Sequence, residues 1–355
     1  MKLQNKKIMN RSFVTYIGIF FIALFLAADI QAQSKVGTTA APFLTIGTGS
    51  RASALGHAYT ASASGADALF WNVSGIAIEH EGKKGGVFFS NYQMFADIDY
   101  NAVGVAIPIS NKGVIGLSGA VVSYGTMEVT TETQPNGNGE LFDASDMVFG
   151  LSYAQPLTDN FFIGGKAKYI SQRIWDMKAS AVAVDIGLTL ITDYLNGLTL
   201  AASIQNFGGQ LQMGGINLRD TYDPNPENAG NNDRVFVNRE TQSWNLPLSF
   251  KFGIKVPVVK TDYYTFRLMG ESHQTNDQKL NGDFGAEFVY STNSTNFYLR
   301  GGYKDLFLGN EVDSHVGYGA GFDMALSDIR IGFDFAIAQQ NYLSNVRMID
   351  FKIYF

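Results

Sequence analysis

From about Gly85 onward the chain alternates apolar and polar positions with a period of two. In Ile329-Arg-Ile-Gly-Phe-Asp-Phe-Ala-Ile337 one face holds Ile329, Ile331, Phe333, Phe335 and Ile337, and the other holds Arg330, Gly332, Asp334 and Ala336. Val182, Val184, Ile186, Leu188 and Leu190 alternate in the same way with Ala183, Asp185, Gly187 and Thr189. Leu246, Leu248, Phe250, Phe252 and Ile254 alternate with Pro247, Ser249, Lys251 and Gly253. A two-residue period is that of a β-strand. A soluble sandwich also alternates, with its apolar face turned inward. A membrane barrel turns the apolar face to lipid and lines its lumen with charge and glycine.

The pattern predicts strands near 85–92, 97–108, 113–123, 144–155, 161–173, 180–192 and 197–206. It predicts seven more near 246–256, 263–272, 281–291, 295–303, 314–325, 329–339 and 346–355. Most have the length that a tilted membrane-crossing strand requires. Their connections alternate in length. Ser110–Gly113, Pro156–Asn160, Asp193–Gly197, Thr292–Ser294 and Leu326–Asp328 are tight turns, and Pro257–Asp262 is only slightly longer. Longer loops fall between them at 124–143, 207–245, 273–280 and 304–313, with 93–96 and 174–179 as short exceptions on that side. Short turns on one side and long loops on the other are the asymmetry of an outer-membrane barrel. The last strand places Ile349, Phe351, Ile353 and Phe355 on one face and ends the chain on an aromatic residue, an ending similar to the signal read by outer-membrane assembly machinery. The expected fold is all-β: a transmembrane antiparallel barrel of about 14 strands with an N-terminal hatch, or plug.

The residues before the first strand divide in two. Lys2, Lys6, Lys7 and Arg11 precede an apolar run from Phe13 to Ala28, and Ile30-Gln-Ala32 gives way to polar Gln33 and Ser34. This is the layout of a cleavable signal peptide, residues 1–32, with a membrane anchor as the competing reading. Residues 33–84 form the second part: too long for a linker and poorly patterned for strands. A barrel of this strand number encloses more room than its own side chains fill. Arg51–Asn72, rich in Ala, Ser and Gly and ending on Leu69-Phe70-Trp71, suits a thread between lumen side chains with an aromatic anchor. The division is therefore signal peptide 1–32, hatch 33–84 and barrel 85–355.

Composition narrows the chemistry. Charged residues make up only 16% of the chain, with 38 glycines, 27 phenylalanines and 17 tyrosines, a membrane-barrel balance. The net charge of −6 becomes more negative once the basic leader is removed, which argues against a nucleic-acid partner. The absence of cysteine excludes disulfides, thiolate metal sites and a lipidated N-terminal cysteine. His57, His80, His273 and His315 lack metal-ligand spacing, so no metal site is expected. No nucleophile-elbow context is present, and neither an enzyme activity nor a cofactor is expected. Gly47-Thr-Gly49-Ser-Arg-Ala52 mimics a dinucleotide fingerprint but lacks the strand–helix–strand setting that gives the motif meaning.

The stretch from Pro42 to Gly56, followed by Ala58-Tyr59 and Ala66-Asp-Ala-Leu-Phe-Trp-Asn72, resembles the hatch of FadL-like barrels. More narrowly it is similar to the PorV/PorQ family of the type IX secretion system. Matching positions are Gly47, Arg51, Ala52, Gly56, Asp67, Ala68, Trp71, Asn72 and Gly75; the chain departs at Val73-Ser74, where Pro-Ala is usual, and at His57, where Gly is usual. The resemblance implies a fourteen-stranded outer-membrane barrel surrounded by lipid. Its relatives bind C-terminal domains of secreted cargo, or assist their surface attachment, beside a large translocon barrel. More distant FadL relatives pass hydrophobic solutes through the hatch to an opening in the wall, the alternative function.

Individual residues sharpen the picture. Arg51 is expected to pair with a lumen carboxylate such as Asp185, Glu287 or Asp334, with a gate or a ligand contact as the other reading. Asp67 is expected to cap a short helix over 68–73, and Trp71 and Asn72 to hold the hatch turn. The 207–245 loop carries Asp220, Asp223, Glu227 and Asp233 without the EF-hand spacing. The first reading is a solvated surface loop, with a protein partner next and Ca²⁺ capture last. Phe207, Leu211, Met213, Ile216, Tyr222 and Phe236 make it unusually apolar for pure solvent exposure, which is the signal for a partner.

Overall fold

A computed structural model describes residues 37–110, 113–227, 234–307, 315–340 and 344–355. The expected signal peptide, residues 1–32, lies outside them, as do Lys112, Asp233 and most of the 304–313 loop. Among the described residues, fourteen long strands hydrogen-bond into one antiparallel wall. The first seven are β1 (Gly86–Gln93), β2 (Asp99–Ser110), β3 (Gly113–Glu128), β4 (Leu141–Thr158), β5 (Phe161–Ile174), β6 (Met177–Ile191) and β7 (Thr199–Gly208). Then follow β8 (Ser249–Lys260), β9 (Tyr264–Thr275), β10 (Asn281–Ser291), β11 (Thr295–Lys304), β12 (His315–Leu326), β13 (Ile329–Ala338) and β14 (Val346–Tyr354). Each pairs with its sequence neighbour, and β14 pairs with β1 from Gly86↔Tyr354 to Gln93↔Arg347, which closes the barrel and leaves no edge.

The alternation has the membrane sense. Phe333, Phe335, Val182, Ile186, Phe250 and Phe252 are exposed on the outer wall, whereas Asp334, Asp185, Glu287, Arg300 and Lys352 are buried inside. No helix among the described residues is long and apolar enough to cross a membrane; the strands make the crossing.

Two expectations need correction. The 124–143 loop is shorter than its apolar pattern suggests, because a bulge at Tyr124-Gly125 carries β3 on to pair Thr126↔Asp143, Met127↔Phe142 and Glu128↔Leu141. Gly125 has φ +72, the left-handed conformation that makes the bulge possible. Leu246 does not face lipid: β8 starts at Ser249, and Leu246 is buried in an apolar cluster with Phe43 and Leu211.

The segment before β1 runs through the lumen. Its outer end is pinned by a bridge from Thr39 to Asn245 and by the Thr39 hydroxyl donating to Asp277 at 2.8 Å. At its inner end Gly85 and Phe355 exchange backbone hydrogen bonds of 3.1 Å. Between them lie only short helical pieces: α1 (Ser50–Ala54) and 3-10 turns at Pro42–Thr45, Gly65–Phe70 and Val73–Ala77. Small residues let these turns lie flat against the wall, and the wall answers with glycine. A Cβ on Gly302 would sit 2.1 Å from the Leu55 carbonyl carbon, one on Gly317 2.0 Å from the Ser53 oxygen, and one on Gly116 2.3 Å from Leu69. Hatch and barrel pack by mutual smallness.

Candidate functional site: the hatch, the vestibule above it and the outer loop

The hatch is held by charge. Arg51 donates Nε (3.1 Å) and Nη2 (3.2 Å) to the two oxygens of Glu287, which is 1% exposed. Arg300 donates to the same carboxylate at 2.7 Å, as does Arg267. Arg300 continues to Asp334, Asp334 to Lys352 (3.1 Å), and Lys352 to Asp67 (2.8 Å), so the network leaves the hatch at Arg51 and re-enters it at Asp67. Of the carboxylates named from sequence, Glu287 takes Arg51, while Asp185 takes Lys168 and Asp334 takes Arg300 and Lys352.

Asp67 is not a helix cap. It lies inside the Gly65–Phe70 turn, and its Oδ2 accepts from the Tyr59 hydroxyl (2.7 Å) and from Lys352. Burial alone would raise this carboxyl; the charges of Lys352 and Arg51 reverse that and hold it below its ordinary value. Asn72 does cap the next turn, accepting from the Ser74 amide, and its amide donates to Thr189 at 3.0 Å and to the Leu188 carbonyl at 3.1 Å. Trp71 donates its indole N–H to the Thr48 carbonyl at 2.6 Å.

The other motif positions are matters of space. Ala52 is buried in the core, a Cβ on Gly47 would lie 2.5 Å from the His57 ring, and one on Gly75 would lie 2.4 Å from the Ala63 carbonyl oxygen. Gly56 has φ +59 and touches the backbone of Tyr303. His57, next to it, has φ +68, a conformation glycine takes without strain, and this explains why glycine suits that place.

Above Trp71 and His57 a cavity of about 340 Å³ lies at the outer mouth. The lumen faces of β8, β9 and β10 line it with Lys251, Glu271, His273 and Asp283, and Lys304 and Asp305 close the far side. His273 spans two carboxylates, with Nδ1 3.1 Å from Asp283 and Nε2 3.5 Å from Asp305. These three residues converge from separate strands and a loop, which sequence spacing does not reveal. Lys251, by contrast, is legible as a lumen residue from its place between Phe250 and Phe252.

The long loop between β7 and β8 stands over this mouth. Gln210–Leu211 pairs with Trp244–Asn245, and Arg219–Tyr222 pairs with Val235–Asn238 as an outlying hairpin. Phe236 is 80% exposed, Tyr222 58% and Ile216 54%; Met213 is half-buried. Leu211 is only 3% exposed, buried in the apolar cluster that also holds Phe43, so it does not stand on the exposed loop surface.

A closed antiparallel wall, apolar outside, with a charged lumen filled by the N-terminal segment, defines an outer-membrane barrel of the FadL-like class. Solved structures agree on the fold. The chain is similar to the monoaromatic hydrocarbon channel CymD at 10% identity and a TM-score of 0.56, with 87% of this chain and 97% of that one covered. It is similar to the Pseudomonas putida toluene transporter TodX at 11% identity and a TM-score of 0.54, over 87% and 97% of the two chains. A Pseudomonas aeruginosa FadL homologue gives 10% identity and a TM-score of 0.54, over 87% and 98%. No curated protein matches the sequence. Residues 29–195, from ahead of the hatch to the turn after β6, match the family of the type IX secretion system protein PorV. Across that part of the chain it is similar to the PorV family.

Proposed function

We propose that this barrel serves type IX secretion by binding secreted cargo, through cargo C-terminal domains, and the translocon barrel at its outer loops. The observation that carries the reading is the loop between β7 and β8. It leaves Phe236 and Tyr222 exposed on its hairpin and Ile216 exposed in the turn before it, beyond a lumen that the hatch occupies. Apolar side chains standing exposed on an outer loop form a contact surface for a protein. The hairpin also offers unpaired strand edges.

Passage of hydrophobic solutes is less well supported. It rests on the shared fold alone, while the lumen here is crossed by the Arg51–Glu287–Arg300–Asp334–Lys352–Asp67 network. The test replaces residues 212–241 with a short Gly-Ser link. The barrel should still assemble in the outer membrane, and type IX cargo should cease to reach the cell surface. Normal secretion by the shortened protein would refute the reading.

A further inference from the structure

The vestibule above the hatch contains a cation without an anion. Lys251 stands on the lumen face of β8 with its Nζ 4.3 Å from the centroid of the Trp71 ring. Among the described residues no oxygen accepts a hydrogen bond from it. The carboxylates nearby are engaged elsewhere. Glu271 accepts from the amides of Tyr59 (3.0 Å) and Thr60 (2.8 Å), Asp283 accepts from the Asp305 amide (2.9 Å) and faces His273, and Asp305 accepts from Asn281 (2.6 Å). The His57 ring borders the same space and makes no hydrogen bond among the described residues. An ammonium has three donors, and one held against a protein wall gains from an anion.

We propose that the vestibule binds a carboxylate carried on a compact body, with Lys251 as its charged contact. The cavity of about 340 Å³ is of small-ligand size, and Trp71 and Leu44 give it apolar surface for the body of the ligand. A phosphate fits less well, since Glu271, Asp283 and Asp305 in the same wall repel a second negative charge. A divalent cation fits less well too, because His273 already spans both aspartates and Lys304 lies 3.4 Å from Asp305. The carboxylate can come from a peptide terminus or from a free small acid. The proposal rests on hatch and wall, and stands whether or not the outer loop binds cargo.

Trp71 is the natural reporter. The chain has three tryptophans, so replacing Trp175 and Trp244 with Phe leaves Trp71 as the only indole. The full-length protein in detergent is titrated with N-acetyl-trialanine, with its C-terminal amide, and with butyrate. A saturable change in Trp71 fluorescence with the free acid is expected, weaker by about tenfold with the amide, as loss of a charge-assisted hydrogen bond implies. Lys251→Gln should weaken the acid by about the same factor and Lys251→Arg should retain it. Butyrate competing at equal concentration identifies a small acid as sufficient; failure to compete identifies a peptide terminus. Equal binding of acid and amide, no saturable response to either acid, or an unchanged response in Lys251→Gln would overturn the proposal. Heat-modifiable migration checks that each variant is folded. Should Lys251→Gln fail that check, the acid–amide comparison on the parent protein still decides.

Discussion

Arg51 and Glu287 are 236 residues apart in sequence, yet their side chains meet at 3.1 Å inside the lumen. Glu287 also holds Arg267 and Arg300, so the two partners are unequal: one carboxylate serves three guanidiniums. Removing the carboxylate takes the ion-pair partner from Arg51 and Arg267, while Arg300 keeps Asp334; removing Arg51 strands no cation.

Glu287→Gln should therefore be the more damaging change, costing on the order of the 3–5 kcal/mol seen when buried pairs are broken. Arg51→Ala should loosen the hatch without unfolding the barrel and give a small ion leak in planar bilayers. Deleting residues 43–78 should give a large, steady conductance from a barrel that still shows heat-modifiable migration. Equal conductance in the deletion and the parent would show that this segment does not fill the lumen.

Two adjacent glycines separate hatch packing from strand stability. A methyl on Gly302 would meet Leu55 at 2.1 Å, while a methyl on Gly301 finds nothing within 4 Å. Both lie in β11, so the strand penalty is shared. Gly302→Ala should raise bilayer conductance and Gly301→Ala should not. The reverse order would mean that the hatch is not packed against this face.

The Asp67 tether sets a pH dependence. Its carboxyl is held below the ordinary carboxylate range, so the stability it adds is complete at neutral pH and is lost only as pH falls through that lowered value. Conductance should stay low from about pH 7 to pH 5, since both lie above the unperturbed aspartate value of about 3.9. Opening should begin only in stronger acid, and Asp67→Asn should show its leak already at neutral pH. A hatch that opens between pH 7 and 5 would point to a different tether.

With no cysteine in the chain, a single introduced one maps topology cleanly. Phe236→Cys, on the outlying hairpin, should react with a membrane-impermeant maleimide on intact cells. Asp159→Cys, in the turn between β4 and β5, should react only after the envelope is opened. Labelling in the opposite order would invert the barrel.

The wall was readable from sequence because lipid and lumen impose opposite demands on alternate residues, so Phe333 and Asp334 announce their sides. What alternation does not encode is registration between distant strands. Three carboxylates were equal candidates for Arg51, and only the way the barrel is wound brings Glu287 to it. Asp67 is hidden for the same reason: locally it resembles a cap, and its partner Lys352 lies at the far end of the chain. Leu211 and Leu246 read as loop and lipid residues, because nothing in sequence shows that both join the apolar cluster that holds Phe43. His273, Asp283 and Asp305 are invisible as a group until β9, β10 and the residues after β11 stand side by side.

The hatch has a consequence for timing. Ser50 donates its amide to Asp350, 300 residues away, and Asp67 takes Lys352, 285 residues away; both partners lie on β14, the strand that seals the wall against β1. On the β1 side, Tyr92 donates to the Gly47 carbonyl at 2.8 Å. Until that seam exists, Asp67 lacks its counter-charge Lys352, and water remains its better solvent. The stretch that leaves the ribosome ahead of every strand is thus the last to be buried, and shutting the lumen doubles as proof that the ring is complete.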